Sequence, residues 1–111
     1  MAMEVVWLAS VVSELRDLPA EARQRLGYQI HLVQQGRRPE NWKPVAGLPG
    51  VFEIRVTFPD GIARTLYAVL GKDDKFVAPL VSFIKKTEKT PTRILKLARE
   101  RLSLIKNQDT A

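Results

Sequence analysis

Val51-Phe52-Glu53-Ile54-Arg55-Val56-Thr57-Phe58-Pro59-Asp60-Gly61-Ile62-Ala63-Arg64-Thr65-Leu66-Tyr67-Ala68-Val69-Leu70 is the stretch that decides the fold, because its apolar residues recur at every second position. Phe52, Ile54, Val56 and Phe58 alternate with Glu53, Arg55 and Thr57, the period of a half-buried antiparallel strand. Pro59-Asp60-Gly61 is a turn signal, so Ile62 to Leu70 is expected to return as the second arm of a hairpin, bringing Arg55 close to Arg64. On that arm Ile62, Arg64, Leu66 and Ala68 share one face and Ala63, Thr65, Tyr67 and Val69 the other. Alternation alone leaves open which face is inward. Gly71 to Lys75 reads as a polar turn and Phe76 to Ile84 as a third strand, which Pro79 confines to an edge or a bulge.

Working outward, Glu4 to Leu8, with Val5, Val6 and Trp7, is expected to form a first strand. Ser10 to Leu18 reads as a short helix ended by Pro19. A second helix follows, with Ala22, Leu26, Ile30 and Val33 on one face and Gly36 at a left-handed C-terminal cap. Arg37 to Gly50, rich in Pro and Gly, reads as a connecting loop. Beyond the sheet, Thr90-Pro91 opens a last helix, Thr90 as its cap and Pro91 in its first turn. Ile94, Leu95, Ala98, Leu102 and Ile105 form the apolar stripe of that helix, with Lys96, Arg99 and Lys106 opposite. Asn107 to Ala111 is expected to fray. The expected class is α+β: an N-terminal strand and helix pair packed on an antiparallel sheet, with a C-terminal helix, in one domain over residues 1–111.

A chain of 111 residues is long enough for one hydrophobic core and too short for a cavity between domains, so a surface groove is the expected kind of site. It contains no cysteine and one histidine, which removes thiolate chemistry and His-rich metal sites; neither a metal nor a cofactor is expected. That histidine, His31, lies between Ile30 and Leu32 in the second helix, where a surface or capping role is expected in place of a catalytic one. No apolar run reaches the ~20 residues of a membrane span, and Met1-Ala2-Met3-Glu4 lacks the basic start of a secretion signal. A cytoplasmic location without membrane partners is therefore expected. The net charge of +6 is local: Lys85, Lys86, Lys89, Arg93, Lys96, Arg99, Arg101 and Lys106, against Glu88 and Glu100, account for the whole excess. Such concentration is a footprint for nucleic acid or an acidic protein, with a solvated helix face as the plain alternative. A DNA-reading helix-turn-helix is disfavoured, because the second member of the adjacent helix pair carries no concentrated basic face.

Several motifs occur together in order. They are Leu18-Pro19; Gly36; Trp42-Lys43-Pro44 and Leu48-Pro49-Gly50 leading into Val51-Phe52-Glu53-Ile54-Arg55; Arg64 with Tyr67; Phe83-Ile84-Lys85-Lys86-Thr87-Glu88-Lys89-Thr90-Pro91; and Ala98 with Arg101. In this arrangement the chain resembles the RelE superfamily of bacterial toxins, and within it the phage-derived HigB-like branch, over about residues 4 to 105. The resemblance implies a type II toxin: a ribosome-dependent mRNA interferase that cleaves by metal-independent attack of the 2′-hydroxyl, with bacterial ribosome and mRNA as its targets. It also implies a cognate antitoxin, often a helix-turn-helix protein. Two departures stand out. Many relatives have His-Gly before the motif phenylalanine, where this chain has Val81-Ser82, and their last helix often carries glutamates where this one has Ile94 and Lys96.

Cleavage through the 2′-hydroxyl develops negative charge on a phosphorane, which guanidinium and ammonium groups can stabilise. Arg55 and Arg64 are the first candidates for that role, either gripping one phosphate or, if inward, pairing with Glu53 or another acid. Lys85 and Tyr67 complete the expected catalytic set. Lys43, Lys86, Lys89, Arg93, Lys96 and Arg99 are the expected RNA- or ribosome-binding cations. Trp42 is expected to anchor its loop on the core, with stacking on RNA as the alternative. Two other functions fit the same residues: a non-catalytic RNA- or ribosome-binding relative, consistent with the missing His-Gly, and a last helix that serves only to dock the antitoxin.

Overall fold

The hairpin closes with Arg55 directly opposite Arg64 and Phe58 opposite Gly61. In the computed structural model, which describes residues 2–85 and 89–109, its arms are β3 (Val51–Phe58) and β4 (Gly61–Leu70). β1 (Glu4–Val5), α1 (Ala9–Asp17), α2 (Ala20–Gln34) and β2 (Trp42–Pro44) precede them; β5 (Phe76–Lys85) and α3 (Thr92–Asp109) follow. The five strands lie in the order β1-β5-β4-β3-β2.

Four differences from the sequence reading have physical causes. The first strand is only two residues long and runs parallel to β5, so the sheet is mixed. The expected connecting loop contains β2, which pairs antiparallel with β3 from Trp42↔Ile54 to Pro44↔Phe52. A three-residue strand holding a proline has no period to read, and it exists because β3 offers a partner edge. The last helix continues to Asp109, into the segment expected to fray. Thr90, expected as a cap, presents its hydroxyl to Arg64. Other expectations hold: Gly36 has φ +76°, and the Arg37 amide donates to the Leu32 carbonyl across it at 2.8 Å, the geometry of a left-handed helix end.

The sheet is covered on both faces. Val11, Leu15, Ala22, Leu26 and Ile30 of α1 and α2 pack on Ile54, Val56, Ala63 and Tyr67. Ile94, Ala98, Leu102 and Ile105 of α3 pack on Val51, Leu66, Ala68 and Val81. Helices on both faces bury β4 from both sides, which is why its sequence alternates poorly. α3 covers only part of its face, leaving the end that holds Arg55 and Arg64 to form a groove.

Pro79 lies in β5 beside a register shift between Leu66 and Tyr67, the bulge its sequence predicts. β1 covers β5 only at Phe76 and Val77, so the bulged edge needs other partners. Glu14 of α1 and Arg101 of α3 supply them from opposite faces of the sheet. Arg101 Nη1 donates to the Leu80 carbonyl and to Glu14 Oε2, both at 2.8 Å, and Glu14 Oε1 accepts from the Ser82 amide at 2.9 Å. Arg101→Ala removes both of its contacts in this partly buried clasp, to the Leu80 carbonyl and to Glu14, and should cost about 1.5–3 kcal/mol, as for hydrogen bonds to charged groups. A denaturation midpoint equal to the parent's would show that the clasp contributes nothing.

Candidate functional site

On the α3 face of the sheet, Lys43, Glu53 and Leu66 form one cross-strand row and Arg55, Arg64 and Phe83 the next. Directly paired antiparallel residues project to the same side, so the two rows place three cations around one carboxylate. Arg64 is 1% and Glu53 2% exposed. Arg64 Nη1 donates to Glu53 Oε2 at 3.1 Å and to Thr90 Oγ1 at 3.3 Å. Glu53 Oε1 and Arg64 Nε, also buried, have no hydrogen-bond partner among the described residues. This trio is the floor of a groove of about 360 Å³, walled by Lys43, Val45, Lys89 and Leu95. A second cleft, lined by Asn41, Lys43, Glu53 and Arg55, adjoins it.

Arg55 is exposed, and its amide donates to the Asn41 carbonyl at 3.1 Å, so its backbone is fixed while its guanidinium is available. Of the expected pair, then, Arg55 presents a charge to solvent and Arg64 takes the inward alternative, pairing with Glu53. Lys43 and Lys89 are exposed groove walls. Lys85 ends β5 opposite Ile62, one row beyond Arg64. Lys86 lies outside the described residues. Arg93, Lys96 and Arg99 are exposed on α3 but line neither cleft. The arrangement can bind an anion at Arg55 and Lys43 and hold it over a rigid, hydrogen-bonded floor.

Tyr67 does not join this site. It lies on the opposite face, 2% exposed, at the end of an aromatic row in which Trp42 stacks on Phe52 (5.2 Å between centroids) and Phe52 tilts onto Tyr67 (5.7 Å). Burial pushes the Tyr67 phenol well above its ordinary value of 10.0, and a hydrogen bond with Trp42 offsets part of that. Its catalytic assignment is corrected to a packing role. Trp42 anchors the loop as expected, with the Arg38 guanidinium 4.8 Å above its ring. A buried neutral phenol stabilises the fold below the unfolded-state value, and this contribution falls as pH rises past it, because the unfolded chain ionises first. Tyr67→Phe should therefore show a smaller loss of melting temperature between about pH 9 and 11 than the parent. Equal losses would mean that the phenol is not withdrawn from water.

The Val81-Ser82 departure bears on packing. Val81 is buried in the α3 core, and Ser82 shares a 2.8 Å hydrogen bond with Thr65 while its amide is held by Glu14. An imidazole at position 81 in this chain would sit beneath α3 and not in the groove. His31 is exposed on α2, beside Glu4 and Trp7 and away from the cations. Among the described residues no helix is long and apolar enough to cross a membrane, and no cluster of His, Cys, Asp and Glu could hold a metal ion.

The model of the family described as "Phage derived protein Gp49-like (DUF891)" matches residues 13–103. No curated protein matches significantly. Among solved structures, an Arg-to-Ala double mutant of the E. coli toxin RelE in its free state superposes with a TM-score of 0.69 at 20% identity, covering 91% of this chain and 98% of that one. At that identity the likeness is one of fold, a RelE-type sheet with helices on both faces.

Proposed function

The chain belongs to the phage-derived Gp49-like family, and from that premise we propose that it is the toxin of a type II toxin–antitoxin pair, a ribosome-dependent endoribonuclease acting on mRNA. The observation that carries this reading is the buried Glu53–Arg64 pair, with Thr90 bonded to it, flooring a groove walled by Lys43 and Lys89, with Arg55 in the adjoining cleft. In the proposed reaction the mRNA 2′-hydroxyl attacks the adjacent phosphate, loses its proton, and the 5′-oxygen leaves and is protonated. The products are a 2′,3′-cyclic phosphate and a 5′-hydroxyl. Arg55 contacts the phosphate oxygens as charge develops, and Lys85 adds a second cation from the end of β5. Arg64 acts as a positioning residue, holding the carboxylate and Thr90 in a fixed floor beneath the phosphate. Lys43, Lys86 and Lys89 hold neighbouring phosphates, while Arg93, Lys96 and Arg99 face the ribosome.

The described groove offers charge stabilisation without a dedicated acid–base pair, so alignment has to supply much of the acceleration. The ribosome supplies it by presenting a single codon with its 2′-hydroxyl in line, an effect that reaches several kcal/mol when reacting groups are well oriented. Such an enzyme works in the cytoplasm and needs an antitoxin to hold it in check. The test is end-mapping of a reporter mRNA in a purified bacterial translation reaction, with and without the protein, alongside a ribosome-free control. Cuts that appear only with ribosomes support the reading. Intact mRNA, from a folded and antitoxin-free preparation, would replace it with a non-catalytic RNA- or ribosome-binding role, recognisable by salt-sensitive binding.

A further inference from the structure

Tyr28, on the outer side of α2, is 55% exposed. It lines a cleft of about 400 Å³ between α2 and β3, together with Arg25, Asn41 and Arg55. The cleft exists because β2 pairs with β3 no further than Ile54, leaving the edge beyond Arg55 without a strand partner. The Thr57 carbonyl on that edge accepts from Arg25 Nη1 at 2.6 Å, and Arg25 Nη2 reaches Glu21 at 2.6 Å. Arg25 is thereby held in place beside Tyr28. The far wall is held as well: the Glu40 amide donates to the buried Gln29 side chain at 3.0 Å. Asn41, Glu40 and Arg55 also line the neighbouring cleft, which joins the Arg64 groove through Lys43 and Glu53. The three depressions adjoin one another in a row, and Arg55 stands between the first two.

Proteins that hold single-stranded nucleic acid combine a cationic track for the backbone with aromatic platforms on which bases stack. We infer that the α2–β3 cleft is a nucleotide subsite, in which a base of the mRNA strand flanking the cut stacks on Tyr28 and the intervening phosphate passes between Arg25 and Arg55. Glu40 is an acid in its wall, and a carboxylate there suits the amino edge of a base rather than a phosphate. Continuity with the cutting groove through Arg55 favours RNA over a protein segment as the occupant. The inference rests on the nuclease reading, because it extends the path of the same strand.

The test uses ribosomes programmed with mRNA carrying a 2′-O-methyl group at the cut position, so that nothing is cleaved, and 4-thiouridine at single flanking positions. After irradiation, one flanking position should cross-link to the α2 peptide containing Tyr28. Tyr28→Ala should lose that cross-link and Tyr28→Phe keep it. On unmodified mRNA, Tyr28→Ala should raise KM about tenfold, as for loss of one stacked base, with kcat unchanged. Cross-links confined to the Arg64 groove, with KM unchanged in Tyr28→Ala, would assign the cleft to a protein partner or to none. That result overturns the subsite and leaves the nuclease reading standing. No cross-link from any position, together with intact unmodified mRNA, would overturn both.

Discussion

Arg64→Ala is expected to lower folding stability by about 3–5 kcal/mol, because it strands the Glu53 carboxylate in the sheet interior without its countercharge. Set against the roughly 5–15 kcal/mol of a typical domain, that is a large fraction of the total. With Arg64 1% exposed and bonded to Glu53 and Thr90, loss of function in Arg64→Ala alone would not separate catalysis from folding. The double variant Glu53→Leu with Arg64→Met does separate them. Replacing a buried pair by apolar residues of similar size is often neutral or stabilising. The double variant should therefore melt close to the parent while leaving mRNA intact on the ribosome. If it folds and still cuts at the parent rate, the buried pair has no part in the site. A melting point for Arg64→Ala equal to the parent's would show instead that the pair does not carry the stability assigned to it.

How much of this could be read from the residues depends on how far each feature is local. β3 announces itself because its two faces differ: Ile54 and Val56 enter the α1–α2 core while Arg55 and Thr57 stay in water. β4 is ambiguous for the opposite reason. Arg64, Leu66 and Ala68 lie under the α3 side, Ala63 and Tyr67 under the α1–α2 side, and all five are buried. Period-two reasoning therefore finds the strand and puts Arg64 and Tyr67 on opposite faces, but it cannot say which face looks toward α3 and which toward α1 and α2. β2 is invisible locally because its strand character comes from β3 alone. The Glu14–Arg101 clasp joins two helices near opposite ends of the chain around a bulged edge, and no spacing rule connects them. The α2–β3 cleft has the same character: Tyr28 and Arg25 gain their meaning only when the chain after Gly36 brings Glu40 and Asn41 back beside α2.

Arg55→Ala provides the cleanest test of the chemistry. The side chain is exposed, and the hydrogen bond from its amide to Asn41 survives truncation, so stability should change by no more than about 0.5 kcal/mol. Its guanidinium stands where the two clefts meet, as the exposed partner of the buried Arg64 in the cross-strand pair. Removing a donor aimed at developing oxyanion charge typically reduces kcat about 10²- to 10³-fold, and a loss of that size is expected in single-turnover cleavage of ribosome-bound mRNA. Arg55→Lys keeps the charge but not the planar pair of donors, and should fall between the parent and the alanine variant. This ordering distinguishes charge stabilisation from strand capture. If Arg55 only held the RNA, both substitutions would raise KM and leave kcat unchanged, and higher salt would weaken the parent in the same way. If it meets the phosphate in the transition state, kcat falls with kcat/KM, and saturating mRNA does not restore the rate.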